Sequence, residues 1–238
     1  MDWALAFVIL LIAVWVVALI AYGCAAPSSQ LLGRSLVRGP AGRCRVALTF
    51  DDGPTPPSTD RVLDVLKQYG VTATFFVNGK WAARFPETLR RVQREGHAIG
   101  NHTYSHLFVY LKSRRRMADE IDRTQAIIES ITGQRPKLYR SPYGVRWFGL
   151  FSVLRRRGMI SVQWSDTGYD WIKKNASSDI ARKALAHVQD GSVILLHDGC
   201  GAKEAHEVDH LPTVAALPEI IESIRSRGYT FVQVQDFL

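Results

Sequence analysis

The chain has 238 residues, 47% of them hydrophobic, and carries a formal net charge of +8 at pH 7. This length allows one or two domains, and the hydrophobic share is ample for a packed core. The arginine triplets 114–116 and 155–157 carry no aromatic stacking platform, and we expect them on solvated helical faces. Because no recognised nucleic-acid-binding module is present either, a nucleic-acid binder is disfavoured.

The N-terminus begins with an apolar segment long enough to cross a membrane. Residues 3–21 form an unbroken run of 19 apolar residues, and no charge occurs between Asp2 and Arg34. As a helix, such a run just spans a hydrocarbon core of ~30 Å. It exceeds the ~7–15 residues of a signal-peptide core, and an acidic second residue does not suit a signal. We therefore predict a membrane anchor or uncleaved signal over residues 1–25, although small residues around Cys24 leave a processing site open.

Residues 26–43 are predicted to be a linker, because proline, serine and glycine punctuate this segment. The rest of the chain, residues 44–238, is predicted to form one folded domain. Four arginines follow the apolar run, and the positive-inside tendency of membrane proteins would keep them on the cytoplasmic side. These are Arg34, Arg38, Arg43 and Arg45.

Beyond residue 44, segments of strand type alternate with helical segments. Strands are predicted over 45–50, 73–77, 98–100, 137–139, 160–164, 193–196 and 231–234, and helices over 59–68, 86–95, 117–131, 147–157, 179–188 and 213–227. This alternation predicts parallel strands with helices outside them, and polar residues at the carboxyl ends of the strands suit an α/β barrel. Cys44 and Cys200 would then lie at opposite ends of the sheet, so no disulfide is expected between them.

Two adjacent carboxylates, Asp51 and Asp52, close the first of these strands, and Gly53-Pro54 ends it immediately afterwards. At a strand end both side chains can turn towards one pocket. Two acids at one point repel each other unless a cation or a shared proton relieves the repulsion. The pair therefore predicts a metal site, an acid–base site or both, while taken alone it also fits a solvated turn.

His102 and His106 follow the third predicted strand with a spacing of four residues. On a helical turn this spacing places both imidazoles on one face, close enough to share a metal. With Asp52 they would make a set of two histidines and one carboxylate that leaves positions open for water and substrate. Taken alone, the pair also fits two unrelated surface histidines.

Three further polar segments follow in order, namely Arg140-Ser141-Pro142-Tyr143-Gly144, the stretch from Asp166 to Trp171, and Leu195-Leu196-His197-Asp198. Together with the aspartate pair and the histidine pair, these segments resemble the polysaccharide deacetylases of carbohydrate esterase family four. The resemblance runs from about Arg45 to the C-terminus. It implies an irregular (β/α) barrel of mainly parallel strands, here preceded by one N-terminal transmembrane helix.

The resemblance implies a role for each residue of the aspartate and histidine pairs. Asp52, His102 and His106 would bind one divalent metal ion, with zinc as the first candidate and cobalt or nickel as alternatives. The metal would activate a water molecule and polarise the acetyl carbonyl. Asp51 would be the general base that takes the proton from this water, and Arg140 would hold it ionised and oriented.

The later segments would supply the acid and the walls of the site. The resemblance implies that His197 is the general acid that protonates the departing amine, and that Asp170 favours its charged form. The backbone N–H of Tyr143 would complete the oxyanion hole. Trp171 and Leu195 would form apolar walls against the sugar and its acetyl methyl group.

The implied reaction is metal-dependent hydrolysis of N-acetyl groups on a glycan that contains N-acetylglucosamine, of peptidoglycan or chitooligosaccharide type, with release of acetate. Because the family's usual substrates lie outside the cytoplasmic membrane, the resemblance favours an extracytoplasmic domain, against the arginine count. The same site would also serve an O-acetyl esterase on acetylated polysaccharide. A catalytically silent glycan-binding or membrane scaffold protein is the alternative from another class. Neither a nucleic acid nor a protein partner is expected.

Residues 206–210 formally match the His-Glu-x-x-His signature of zinc proteases. The signature works only on a helix, where both histidines share one face. Because a glycine turn precedes this segment and Pro212 follows it, a loop is expected and the protease hypothesis is disfavoured.

Overall fold

The computed structural model describes residues 3–202 and 210–238. Helix α1 spans Trp3–Ala25, and its apolar sequence has no polar face. Nearly all of its side chains are exposed, the exceptions being Gly23 and Cys24 near its end. Within the described residues, α1 is the helix that is long and apolar enough to cross a membrane. A signal sequence near an N-terminus has the same properties, so the geometry of α1 suits an anchor and a signal alike.

The described residues form one nine-stranded sheet in which all paired strands run parallel. The strands are β1 (Ser35–Leu36), β2 (Arg45–Asp51), β3 (Thr74–Val77), β4 (Ala98–Asn101), β5 (Leu138–Tyr139), β6 (Ile160–Val162), β7 (Asp166–Thr167), β8 (Val193–His197) and β9 (Thr230–Val232). Their order is β1-β6-β5-β4-β3-β2-β8-β7, and β9 pairs with the beginning of β2. The sheet curls into a half-barrel, which confirms the predicted α/β architecture of mainly parallel strands.

Helices connect these strands and cover the sheet. They are α2 (Ser58–Tyr69), α3 (Gly79–Arg84), α4 (Pro86–Arg94), α5 (Arg114–Thr132), α6 (Leu150–Arg155), α7 (Ser177–Leu185) and α8 (Leu211–Ser226), with 3₁₀ turns at Pro142–Gly144 and Val234–Phe237. The longest of them, α5, has clear local causes. Ser113 Oγ accepts a hydrogen bond from the Arg116 amide at 3.2 Å and so caps the first turn. Gly133 takes the left-handed conformation that ends the helix.

Strand β2 lies at the centre of the core. Its residues after Arg45 are all buried, because β3, β8 and β9 flank it and helices cover the sheet. Phe50 stacks on Phe75 of β3 with ring centroids 5.1 Å apart, and full burial of such a ring contributes about 1.5–3 kcal/mol. The register places Asp51 opposite His197 of β8. The core therefore fixes the point at which the carboxyl ends of these two strands meet.

The structure contains three short elements that the sequence does not predict, namely β1, α3 and β7. β1 lies in the segment expected to be a linker, and it pairs with β6 at the edge of the sheet. Val234, expected to end the last strand, instead begins a 3₁₀ turn, and its amide donates to Thr74 Oγ1 at 3.0 Å. Such short elements take their conformation from the neighbours they pair with rather than from their own pattern.

Candidate active site

The predicted site residues lie around one pocket of about 690 Å³ at the carboxyl ends of the strands. Parallel strands deliver their terminal residues to one edge of a sheet, which explains why distant segments meet here. The pocket is lined by Asp51, Asp52, His102, His106, Tyr143, Asp170, Trp171, Leu195 and His197, together with residues that the sequence did not single out. Arg140 lies beneath Asp51 and is fully buried.

The two adjacent aspartates turn towards different partners. Asp51 Oδ1 accepts a hydrogen bond from Arg140 Nη1 at 2.7 Å. Asp52 has a φ of +79°, and its Oδ1 lies 3.2 Å from His102 Nε2 and 3.0 Å from His106 Nε2. Close packing fixes this turn, because a Cβ on Gly199 would lie 2.2 Å from the Asp52 backbone. Each carboxylate therefore has its own positively charged or metal-ligating neighbour, which relieves their mutual repulsion.

The loop that carries the two histidines is not helical, so the expected helical turn over residues 102–106 is wrong. Thr103 and His106 have φ values of +63° and +57°. The backbone donors of the loop bond to buried side chains instead of forming a helical ladder. Asn101 Oδ1 accepts from the Thr103 amide at 2.9 Å, and Glu120 Oε2 accepts from the Tyr104 and Ser105 amides at 3.0 and 2.8 Å. These contacts still bring the two imidazole rings together, with centroids 5.1 Å apart.

Asp52, His102 and His106 fit a divalent metal ion. One ligand atom from each lies within 4.8 Å of the other two. Asp52 Oδ1 is buried and has no hydrogen-bond partner among the described residues, as expected of an oxygen that serves a cation. His102 Nδ1 donates to the Arg140 carbonyl at 2.9 Å, so Nε2 carries the lone pair that faces the cluster. Such nitrogen and oxygen donors suit zinc and also accept cobalt or nickel.

Arg140 holds Asp51 from below. Besides Asp51, its guanidinium donates to Thr49 Oγ1 at 2.9 Å and to the Gln163 carbonyl at 3.0 Å. The ring of Phe76 lies 4.0 Å from its Cζ. A fully buried cation with these fixed partners keeps the neighbouring carboxylate in one orientation.

His197 and Asp170 form a second charged pair across the pocket. His197 Nδ1 donates to Asp170 Oδ1 at 2.9 Å, and the His197 amide donates to Oδ2 at 2.7 Å. Thr213 Oγ1 adds a third hydrogen bond to this carboxylate at 3.0 Å. Burial alone would lower the pKa of His197, but the charge and hydrogen bond of Asp170 raise it to about 9. At neutral pH the imidazole is therefore charged and able to donate a proton.

Three residues form the rim and walls of the pocket. Tyr143 has a φ of +59°, and its ring lies against His106 with centroids 4.5 Å apart. The ring of Trp171 meets His197 edge-on at 5.3 Å. Leu195 is buried and lines the floor. The pocket thus combines apolar surface with a small number of charged groups, as small-molecule and sugar sites do.

Two further residues near the pocket belong to segments noted in the sequence but were given no role there. Asp198 follows His197 directly and is buried, and its carboxylate accepts a hydrogen bond from Thr59 Oγ1 at 2.6 Å. Burial, reinforced by the charges of Asp52 and Asp51, raises the pKa of Asp198 to about 7. His210 lines the pocket and donates from Nε2 to the Gly199 carbonyl at 2.6 Å. Its expected companion in the protease-like signature, His206, lies outside the described residues.

Comparison with known proteins shows that the chain is similar to deacetylases that act on glycans. A family model of polysaccharide deacetylase matches residues 38–159. A peptidoglycan-N-acetylglucosamine deacetylase of Bacillus cereus is 38% identical over 195 residues, which cover 82% of this chain and 68% of the relative. A chitooligosaccharide deacetylase of Sinorhizobium fredii is 36% identical over 200 residues, covering 82% of this chain and 93% of the relative.

Solved structures share the fold. A crystal structure of a peptidoglycan N-acetylglucosamine deacetylase superimposes with a TM-score of 0.80 at 35% identity, covering 86% of this chain and 92% of the other. A pseudoenzyme of the same family from Bacillus anthracis superimposes with a TM-score of 0.77 at 22% identity, covering 86% of this chain and 68% of the other. At that identity the second likeness concerns the fold alone, and it shows that the fold also occurs without activity.

Proposed function

This chain belongs to the polysaccharide deacetylases of carbohydrate esterase family four, and on that premise we propose that it removes N-acetyl groups from a glycan containing N-acetylglucosamine, with release of acetate. The observation that carries the proposal is the pocket itself. It places an Arg-held carboxylate, Asp51, beside a candidate metal site and opposite a charged histidine, His197. The named activities of the relatives favour peptidoglycan or chitooligosaccharide as the glycan.

The metal site supports the hydrolytic chemistry. Asp52, His102 and His106 would hold one divalent ion, zinc before cobalt or nickel, which supplies a Lewis acid that polarises the acetyl carbonyl and acidifies water. The open side of this cluster faces the pocket, where the substrate enters. His102 is held in the required orientation by its bond to the Arg140 carbonyl.

Asp51 would act as the general base. Its Oδ2 lies 3.9 Å from His102 Nε2, so this oxygen faces the candidate metal site while Oδ1 is bonded to Arg140. A water molecule positioned there could pass its proton to the carboxylate as it attacks the carbonyl carbon. The hydrogen bond from Arg140 holds this carboxylate in one orientation.

His197 would act as the general acid. Its Nδ1 is bonded to Asp170, so Nε2 is the nitrogen left to donate a proton to the departing amine. The backbone N–H of Tyr143 would stabilise the negative charge that develops on the acetyl oxygen. Trp171 and Leu195 would pack against the sugar and the acetyl methyl group.

The N-terminal helix supports a membrane-anchored enzyme. Since peptidoglycan and chitooligosaccharide glycans lie outside the membrane, we place the folded domain on the extracytoplasmic side. We also propose that α1 remains uncleaved, because its apolar run is longer than a signal core and lacks a basic start.

The test is acetate release by the full chain in detergent, loaded with zinc or cobalt. The full chain is used because Arg146 of the folded domain is hydrogen-bonded to the carbonyls of Gly23 and Cys24 at the end of α1. Substrates are chitooligosaccharide, peptidoglycan fragments and acetylated xylan, with Asp51→Asn as the inactive variant and exposed Asp119→Asn as its matched control.

Acetate from the N-acetylated glycans, lost in Asp51→Asn and kept in Asp119→Asn, is the expected result. Preferential release from acetylated xylan would favour the O-acetyl esterase. Metal-loaded protein that releases no acetate from any of them would favour the silent scaffold protein and contradict the proposal.

A further inference from the structure

The end of α1 is built into the folded domain through Arg146. The Arg146 amide donates to the Cys24 carbonyl at 2.8 Å, and its guanidinium donates to the carbonyls of Gly23 and Pro27 at 3.1 and 3.2 Å and to that of Ala26. The last carbonyls of a helix lack partners within the helix and carry partial negative charge, so a buried arginine suits this position. Arg146 is 1% exposed. These hydrogen bonds therefore fix the end of α1 to the folded domain.

This contact sets the height of nearby residues relative to a membrane. The 23 residues of α1 extend over ~35 Å, slightly more than a hydrocarbon core of ~30 Å. A spanning α1 would therefore place its last turn at the level of the lipid headgroups. Residues that flank Arg146 in the chain must lie near that level too.

Half-buried Trp147 and exposed Phe148 follow Arg146 in the chain, and exposed Tyr110 packs on Trp147. We call Tyr110, Trp147 and Phe148 the aromatic band. The ring centroids of Tyr110 and Trp147 lie 4.4 Å apart, and those of Trp147 and Phe148 lie 5.0 Å apart. Phe148 is 52% exposed and Tyr110 is 41% exposed. Aromatic rings of this kind are typical of the membrane–water interface, where one side is apolar and the other wet.

Arginines border the aromatic band. Arg114 and Arg115 of α5 line one groove of about 450 Å³ together with Arg156 and Arg157, which follow α6. Asp122 also lines the groove and pairs with Arg157. The Arg114 side chain also packs on Gly149, the residue after Phe148. Arg114 and Arg115 lie in the first turn of α5, where positive charges oppose the helix dipole, whereas Arg116 pairs with Glu120 at 2.8 Å. Arg115 and Arg156 form no ion pair within residues 3–202 and 210–238.

We propose that the aromatic band and its bordering arginines rest on the anionic headgroups of the same bilayer that α1 spans. The proposal depends on α1 being retained in the mature protein, as proposed above. Apolar rings would enter the interface while the arginines bind phosphate groups of the anionic lipids. The domain would then be held in one orientation, with its pocket beside the membrane.

A glycan-binding surface is the competing explanation, because rings continue from the aromatic band towards the pocket. Phe108 lies 6.1 Å from Tyr110 and 5.5 Å from Tyr143, whose ring contacts His106. Direct continuity with the end of α1 and the bordering positive charge favour lipid. Chitooligosaccharide is neutral and would not require that charge.

The experiment uses photocrosslinking in the full chain. In one variant the photoreactive p-benzoylphenylalanine replaces Phe148. In the control variant it replaces Ser226, an exposed residue at the end of α8, and this helix packs on α7 and α2. Each variant is reconstituted in phosphatidylcholine vesicles, with or without phosphatidylglycerol, and lipid adducts are measured by mass spectrometry. Intact mass reports whether α1 is retained, and the assay needs no turnover, so its result is independent of the deacetylase proposal.

Severalfold more lipid adduct at position 148 than at position 226 is expected, with an increase on adding phosphatidylglycerol. Arg115→Glu combined with Arg156→Glu should abolish that increase. Equal adduct at the two positions with α1 intact would overturn the proposal, and so would adducts to added chitooligosaccharide in place of lipid. A mature protein without α1 would overturn it as well.

Discussion

Asp51 and Asp52 are adjacent in the chain but have different surroundings, and this difference separates their proposed roles. Asp51 is bonded to a buried guanidinium, whereas Asp52 faces two imidazole nitrogens. Removing the charge of Asp51 leaves the three candidate metal ligands in place, while removing His102 deletes one of them.

We therefore expect Asp51→Asn to retain metal and lose turnover, and His102→Ala to lose the metal itself. Metal content after dialysis, measured by atomic emission beside acetate release, checks both variants. His187→Ala is the control, because His187 is exposed just after α7 and belongs neither to the candidate metal site nor to the pocket lining. Metal loss in Asp51→Asn equal to that in His102→Ala would contradict the division of roles.

The charge of His197 depends on Asp170, and this gives a pH prediction. A pKa raised to about 9 keeps the imidazole protonated below that value, so a general acid is present at neutral pH and is lost as the pH rises through about 9. Without the Asp170 charge, burial lowers the pKa instead. In Asp170→Asn the alkaline limb of kcat/KM should move to lower pH, while Asp179→Asn, at a partly exposed residue outside the pocket, should leave it unchanged. If the alkaline limb of kcat/KM stays at the same pH in Asp170→Asn, His197 is not a general acid whose charge Asp170 maintains.

At the scale of elements, the loop between β4 and α5 depends on a residue far along the chain. Glu120 of α5 accepts hydrogen bonds from Tyr104 N, Ser105 N and Ser105 Oγ, and it pairs with Arg116 at 2.8 Å. These contacts hold the backbone between His102 and His106. A glutamine has one acceptor oxygen in place of two and no charge, so it cannot accept from both backbone amides and also from Ser105 Oγ and Arg116, and the loop is weakened.

Glu120→Gln should therefore weaken metal binding by about 10-fold or more, as is typical when a residue that orients metal ligands is changed. Competition with a chelator measures this affinity without turnover. Glu129→Gln on the same helix is the control, because Glu129 is exposed and pairs only with Arg135 at 2.8 Å among the described residues. Equal affinities in the two variants would show that Glu120 does not position the ligands.

The same loop shows what the sequence could and could not predict. The spacing of His102 and His106 predicted correctly that the two rings lie together, yet the helical turn was wrong, because Asn101 and Glu120 bind the backbone that a helix would use itself. The strands around Asp51 and His197 were predictable, since they are long apolar runs that end in polar residues. β1 has two residues and depends on its partner β6, so its own sequence carries no comparable pattern.

At the scale of the whole molecule, Arg146 joins the end of α1 to the folded domain. Its guanidinium reaches three backbone carbonyls, and no solvent reaches a side chain so deeply buried. Arg146→Ala would leave these carbonyls without their donor, at a cost of about 1–3 kcal/mol for each one that stays buried. The segment after α1 would then open before the rest of the domain unfolds.

We expect Arg146→Ala to lower the thermal unfolding temperature of the full chain in detergent and to expose residues 26–34 to proteolysis. Mass spectrometry of the early cleavage products locates the cut. Arg156→Ala is the matched control, because this arginine is exposed and should change neither property. If Arg146→Ala and the wild-type chain are cut at the same rate and position, contacts other than those of Arg146 hold the end of α1. The Arg146 contacts would then not fix the height of the aromatic band relative to the bilayer.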